Sequence, residues 1–242
     1  PTTGEILAMV SLMDGKPGNL SAINAPFEPG STLKPFTVAS VLLHSVASLG
    51  DSVDGEEGYW LAGGRPLRDV HAMGMMTLAE ALKESSNIGV AKVAAGLTSG
   101  QQYEMLRDFG FGTRTGIELG PEAPGTLRRP SDWSRTSPSR MAIGYEVSVT
   151  PLQMAMAYGA LANGGKLMQP RIVKELRDGE GQVTFRSRPR VVRQVIPQDL
   201  AQEISEVLVD VVEDGTGSQA RLETFTVAGK SGTSRAYGAG GY

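Results

Sequence analysis

The order of the segments constrains this chain more than any single motif does. Residues 5–12 (Glu-Ile-Leu-Ala-Met-Val-Ser-Leu) have the apolar content of a mostly buried strand. A series of helix starts follows. Gly30-Ser31 precedes Val38, Val41, Leu42 and Leu49 at helical spacing. Thr77 and Glu80 form a Thr-x-x-Glu capping box, residues 88–97 are rich in Ala and Val, and Ser99 with Gln102 predicts a second box for a helix that stops at Gly110. Thr150-Pro151-Leu152-Gln153 combines an N-cap threonine, proline at the first helical position and glutamine at the third, and this helix ends at Gly164-Gly165. Residues 171–196 alternate as a hairpin around Asp178-Gly179, and residues 200–212 form an amphipathic helix ended by Gly215. Residues 225–228 read as a strand running into Gly229-Lys230-Ser231-Gly232-Thr233. Residues 14–29 and 113–140, punctuated by Pro and Gly, read as loops. A strand, many helices and a closing strand predict a helical subdomain, approximately residues 40–165, inserted into a sheet domain rather than an alternating βαβ fold.

Composition removes several function classes. The 242 residues carry 23 Lys+Arg and 26 Asp+Glu, a formal net charge of -3, which argues against a basic nucleic-acid binder or a polybasic membrane-surface protein. With no cysteine, disulfides, thiolate metal sites and a cysteine nucleophile are excluded. No apolar run reaches the roughly 18 residues of a membrane span; the longest, residues 38–49, is interrupted by His44, Ser45 and Ser48. Pro1 opens the chain directly in front of a strand-like run, which is the expectation for a piece of a longer protein.

Two histidines make a metal centre unsupported: His44 reads as a mid-helix core or interface residue, and His71, near Asp69, as a loop residue. Gly229-Lys230-Ser231 lacks the upstream glycine of a phosphate-binding loop. A serine–lysine system fits better. Ser31-Thr32-Leu33-Lys34 places a hydroxyl and an amine three residues apart at a helix start, on one face, where free N–H groups favour an oxyanion. Lysine serves as a base only when its pKa is lowered, by burial or by a neighbouring cation, and Lys230 is the candidate cation. Alone, Ser-x-x-Lys carries no information, being expected roughly 0.6 times by chance in this composition. Ser85-Ser86-Asn87 and Lys230-Ser231-Gly232 change that, because all three in this order are expected only about 0.004 times. Singly, Ser31 and Ser85 read as caps and Lys230 as a charge guarding a strand edge.

Pro29-Gly-Ser-Thr-Leu-Lys-Pro-Phe36, Ser85-Ser-Asn-Ile-Gly89, Val149-Thr-Pro-Leu-Gln-Met-Ala155 and Ala228-Gly-Lys-Ser-Gly-Thr233 together resemble the transpeptidase domain of penicillin-binding proteins, class B, the monofunctional division or elongation type. The resemblance covers nearly the whole chain and makes residues 1–242 one transpeptidase domain. It implies an α+β fold, an antiparallel sheet flanked by helices with the inserted helical subdomain, of the serine β-lactamase/DD-transpeptidase kind. It implies Ser31 as acyl-accepting nucleophile, Lys34 as its base and Ser85 as proton relay to the leaving amine. Asn87 would hold the substrate amide and orient Lys34; Lys230, Ser231 and Thr233 would bind the substrate carboxylate or its β-lactam mimic, with Gly232 keeping the strand edge open. The N–H groups of Ser31 and Thr233 would form the oxyanion hole. The implied partners are a peptidoglycan stem peptide ending in D-Ala-D-Ala, β-lactams and, through the parent protein, a membrane glycan polymerase. The implied place is the periplasmic face of the bacterial cytoplasmic membrane, and no cofactor is implied.

Three features depart from the family pattern. Gly144-Tyr145-Glu146 stands where Gly-Gln-Gly is usual, Ser231 where threonine is commoner, and the two further strands and helix that follow the last motif are absent from this chain, with residues 238–242 reading as a turn tip. A serine β-lactamase shares the three-motif logic and needs a water-activating carboxylate, for which Glu122 is the candidate. A β-lactam sensor of the same fold would be acylated without exchanging a peptide donor.

Overall fold

The computed structural model describes residues 1–13, 16–17 and 20–233. Its helices are α1 (Ser21–Asn24), α2 (Lys34–Leu43), α3 (Leu78–Lys83), α4 (Asn87–Ala94), α5 (Ser99–Asp108), α6 (Ser137–Ala142), α7 (Pro151–Leu161) and α8 (Gln198–Glu213). A 3₁₀ turn, Gly30–Leu33, leads directly into α2. The strands are β1 (Leu12–Met13), β2 (Lys16–Pro17), β3 (Ser52–Asp54), β4 (Tyr59–Ala62), β5 (Arg65–Arg68), β6 (Met75–Thr77), β7 (Thr126–Leu127), β8 (Val147–Ser148), β9 (Lys166–Met168), β10 (Glu175–Arg177), β11 (Val183–Arg186) and β12 (Val191–Gln194). They pair antiparallel, two by two: β1 with β2, β3 with β6, β4 with β5, β7 with β8, β9 with β12, and β10 with β11 across the expected Asp178-Gly179 hairpin. The architecture is α+β, as expected.

Helix α2 is the axis of the core. All residues from Lys34 to Val41 are buried, so this helix reaches solvent only at its last residues, Leu42 and Leu43. Phe36 packs against Phe109 and Phe111 after α5 and against Tyr158 of α7, with ring centroids 4.7, 5.3 and 5.2 Å away at tilted or edge-on angles. Leu33, Ala39, Ala157, Ile204 and Leu208 belong to the same cluster, which joins α2, α7 and α8. A second cluster, Val38, Val41, Leu78, Leu82 and Ala94, seats α3 and α4 on the other side of α2. The turn that bears Ser31 therefore stands on a rigid base.

Capping follows the sequence closely. Thr77/Glu80 and Thr150/Gln153 form complete boxes. The box before α5 is Thr98/Gln101, one residue earlier than expected. Thr98 has the extended backbone an N-cap needs, and Gln102 instead points inward and donates to the carbonyl of Ala94 at 3.1 Å. Helix α2 ends at Leu43, which makes His44 its exposed C-cap rather than a mid-helix core residue.

The two strands expected at the ends are not ladders. In residues 5–12 pairing is limited to a parallel bridge from Glu5 to Arg171, apart from β1 itself at Leu12, and Leu7 and Val10 are exposed. Among the described residues, 225–228 have no strand partner, and Gly229 donates to the carbonyl of Leu208 on α8 at 3.0 Å. A strand exists only where a neighbour completes its hydrogen bonds, and the described residues supply none here. Residues 14, 15, 18 and 19 of the first expected loop, and the turn expected at 238–242, lie outside the described residues. The second expected loop, 113–140, holds β7, a 3₁₀ turn and the start of α6.

Candidate active site

The first motif is held in place by its backbone. The Gly30 N–H donates to the carbonyl of Gly144 at 3.0 Å, the Thr32 hydroxyl donates to the carbonyl of Pro29 at 2.8 Å, and the Tyr158 hydroxyl donates to the carbonyl of Thr32 at 2.9 Å. Burial raises the Tyr158 phenol far above its ordinary pKa, so it remains a donor. Lys34 returns its own N–H to the carbonyl of Ser31, which closes the turn and sets both side chains at the start of α2. The Ser31 side chain makes no hydrogen bond among the described residues and is half-buried.

Gly144 approaches this turn so closely that only glycine fits. Its φ is +85°, and a Cβ there would lie 2.0 Å from the carbonyl oxygen of Gly30. Gly144→Ala is expected to cost roughly 1–2 kcal/mol from the left-handed backbone alone, with the clash in addition. The melting temperature should fall by at least roughly 2–8 °C, because the turn before Ser31 has to shift. Scanning calorimetry checks this; an alanine variant with unchanged melting would refute the close approach.

The second motif is shaped by the end of α3. Ser86 N–H donates to the carbonyl of Ala81 at 2.8 Å and Ser85 N–H to that of Leu82 at 3.3 Å, the paired bonds of a Schellman ending. That ending needs a left-handed residue, and Ser85 occupies the position with φ +61°. Glycine is usual there, so a serine stores roughly 1–2 kcal/mol of strain. The strain turns Ser85 toward α2, where Lys34 Nζ donates to both the Ser85 carbonyl and, at 3.3 Å, its Oγ. Asp69, which follows β5, clamps the start of α4: its carboxylate accepts from Ser86 Oγ at 2.6 Å, from Ile88 N–H at 3.1 Å and from Asn87 N–H. The Asn87 amide donates to the carbonyl of Arg68 at 2.7 Å, and the groups that hold Lys34 are those of Ser85.

The third motif crosses the first. A Cβ on Gly232 would lie 2.6 Å from Cγ2 and 3.2 Å from the backbone nitrogen of Thr32, next to Ser31. Ser231 Oγ meets Thr216 Oγ1 at 2.8 Å, and Thr216 donates to the carbonyl of Lys83 at 3.3 Å, so the end of α3 anchors this segment too. The Lys230 ammonium donates to the carbonyl of Ser231 at 3.2 Å. Thr233 is exposed.

The electrostatics follow from this convergence. Lys34 is fully buried; desolvation, and after it the charge of Lys230, hold its amine well below the usual lysine range, against a smaller upward pull from Asp69. Burial also pushes Lys230 down to about 8, opposed by Glu84. Once uncharged, an amine that directs its N–H groups at Ser85 keeps a lone pair, and one turn away stands a hydroxyl with no partner among the described residues; such a pair can move a proton. Glu122, the carboxylate a lactamase would need, accepts from the N–H groups of Thr115 at 2.7 Å and Gly116 at 3.2 Å, which ties it to its own loop. Asp69 and Tyr158 had no motif to announce them: Asp69 acts across 17 residues on Ser86, and Tyr158 across 126 on Thr32. Among the described residues no cluster of His, Cys, Asp or Glu could hold a metal ion, and no helix is long and apolar enough to cross a membrane.

An α+β fold that gathers Ser31, Lys34, Ser85 and Lys230 around one turn defines a serine–lysine class of site. The penicillin binding protein transpeptidase domain matches residues 1–242. Among curated relatives, "Penicillin-binding protein PbpB" of Mycolicibacterium smegmatis is 35% identical over 96% of this chain and 39% of its own length. "Probable peptidoglycan D,D-transpeptidase PbpC" of Pseudomonas aeruginosa is 31% identical over 100% of this chain and 43% of its own. The apo transpeptidase domain of Burkholderia pseudomallei penicillin-binding protein 3 superposes with a TM-score of 0.86 at 28% identity, covering 100% of this chain and 69% of that one. Penicillin-binding protein 3 of Mycobacterium tuberculosis in complex with ampicillin does so with a TM-score of 0.81 at 32% identity, covering 88% of this chain and 48% of that one. The chain belongs to the penicillin-binding protein transpeptidase domain family, class B. It spans about two fifths of the length of these curated relatives.

Proposed function

We propose that this chain is the catalytic domain of a peptidoglycan D,D-transpeptidase, residues 1–242 forming one domain with a helical subdomain at approximately 40–165. The observation that carries the reading is the fully buried Lys34, its amine held below the usual lysine range by desolvation, between Ser85 and the turn that bears Ser31. Ser31 Oγ attacks the carbonyl of the penultimate D-alanine of a stem peptide ending in D-Ala-D-Ala. Lys34 takes the hydroxyl proton, the C–N bond breaks, and Ser85 passes that proton to the departing D-alanine amine. The resulting acyl-enzyme is attacked by an acceptor amine, whose proton returns along the same path to Ser31. Asn87 holds the substrate amide, and Lys230, Ser231 and Thr233 hold the terminal carboxylate. The N–H groups of Ser31 and Thr233 take the oxyanion, while Gly232 leaves room beside Thr32. A β-lactam, whose strained amide mimics the donor, stops at the first step; ampicillin and aztreonam complexes of the Mycobacterium tuberculosis relative support this. The parent protein would work outside the cytoplasmic membrane, held there by a segment not in this chain and paired with a glycan polymerase.

Intact-mass measurement after penicillin exposure, with the modified peptide mapped, tests the reading. One adduct on Ser31 that persists for many minutes is expected. An adduct on another serine refutes the assignment, and rapid turnover favours the lactamase.

The lysines also set a pH dependence. Acylation needs Lys34 neutral and Lys230 charged, so it should fall as pH rises through about 8, where Lys230 loses its proton. Folding goes the other way. The folded chain binds Lys230's proton more weakly than the unfolded chain, whose lysine stays near 10.5, so this group's penalty is full below about 8 and is relieved as pH climbs toward 10.5. A pH series of acylation rate beside melting temperature should therefore show activity lost above pH 8 with no stability lost on account of Lys230. A rate still rising above pH 9 would remove Lys230 from carboxylate binding.

A further inference from the structure

The hairpin β4–β5 forms a wall beside the second motif, and its two faces differ. Ala62 and Leu67 turn inward with Trp60 onto Ile88, Ala91 and Ile143. Tyr59 pairs with Arg68 and Leu61 with Pro66 in the strand register, and these four residues face outward. Tyr59 and Leu61 are 43% and 54% exposed, an apolar strip the core does not use. At the end nearest the site, the Arg68 carbonyl accepts from the Asn87 amide at 2.7 Å, and the Arg68 guanidinium stacks 4.8 Å above the Tyr59 ring. That cation–π contact restrains the guanidinium over the ring. Among the described residues Arg68 has no carboxylate partner. Asp69 is fully engaged by α4, and Glu56 is paired with Lys92 at 2.5 Å.

The inference rests on the proposed transpeptidase reading, in which the donor peptide's backbone meets Asn87, and Asn87 touches this hairpin at the Arg68 carbonyl. We infer that Arg68 selects donors: it binds a free side-chain carboxylate on a residue preceding D-Ala-D-Ala, while Tyr59, Leu61 and Pro66 support the aliphatic part of that stem. An acidic stem peptide is thus the preferred substrate over its amidated form. The planar fork suits a bidentate carboxylate, and the outward strip suits methylene groups.

The test uses two synthetic pentapeptides ending in D-Ala-D-Ala that differ only in whether the third residue's side-chain carboxyl is free or amidated. Their binding to the Ser31→Ala chain is followed by fluorescence anisotropy, which separates recognition from chemistry. The acid should bind roughly 10- to 100-fold more tightly, the range expected of a charge-assisted pair. Adding Arg68→Ala should bring the ratio toward one, and Arg68→Lys, which keeps charge without the fork, should restore only part of it. Arg68 is exposed, so circular dichroism should confirm an unchanged fold. Equal binding of the two peptides, or a ratio that survives Arg68→Ala, overturns the inference. A preserved ratio in the Ser31→Ala chain together with no penicillin adduct on Ser31 in the wild type would leave this surface standing and overturn the acyl-transfer reading instead.

Discussion

Ser31→Ala should take up no penicillin at all, while keeping the melting temperature of the wild type to within the effect of about 0.5 kcal/mol. The chemical part rests on uniqueness of position. Among the four motif serines, Ser31 alone sits one turn from the buried Lys34 amine with no hydroxyl partner among the described residues; Ser85 already meets Lys34, Ser86 donates to Asp69 at 2.6 Å and Ser231 is tied to Thr216 at 2.8 Å. The structural part rests on what the substitution leaves alone. The Ser31 carbonyl, which accepts the Lys34 N–H, is backbone and survives, as do the bonds from Gly30 to Gly144 and from Tyr158 to Thr32. Intact-mass spectra of the two proteins after overnight exposure to penicillin decide it. An adduct on the variant means another hydroxyl is the acceptor, and a variant that fails to fold means Ser31 is part of the scaffold.

The sequence disclosed the site better than the scaffold, for a physical reason. Helix starts are local events, so Thr77/Glu80 and Thr150/Gln153 could be read directly. The Thr98/Gln101 box was displaced by one residue, because two glutamines stood side by side and only tertiary packing drew Gln102 inward. Strands depend on partners distant in the chain, and the runs at 5–12 and 225–228 have strand composition without a described neighbour to complete a ladder. Within the site, the three short motifs were legible because their order is improbable in this composition. The groups that position them were not. Asp69 carries no signature until β5 brings it to α4, and the left-handed Ser85 looks like any serine until the end of α3 requires that conformation. The lowering of Lys34's pKa and Lys230 as its neighbouring cation were legible in the sequence; that burial in the axis of the core outweighs that cation shows only in three dimensions.

Lys34→Met should slow penicillin acylation by about 10²- to 10⁴-fold, the usual range for removing a general base. Methionine is close to lysine in length and unbranched, so it fills the space inside α2 that a fully buried Lys34 leaves. The substitution removes an amine whose burial already penalises its charged form, so the stability of the variant should equal or exceed that of the wild type. It also deprives the Ser85 carbonyl and Oγ of their donor, but Ser85 is half-buried and water can replace the amine there. A slow rate in a stable protein therefore separates a base from a structural lysine. The pH profile adds a second criterion. In the wild type the rate should climb on the acid side as Lys34 loses its proton, and in the methionine variant that limb should vanish while the decline above pH 8 from Lys230 remains. A variant acylated within a few-fold of the wild type, or one that keeps the acid limb, would show that another group takes the proton from Ser31.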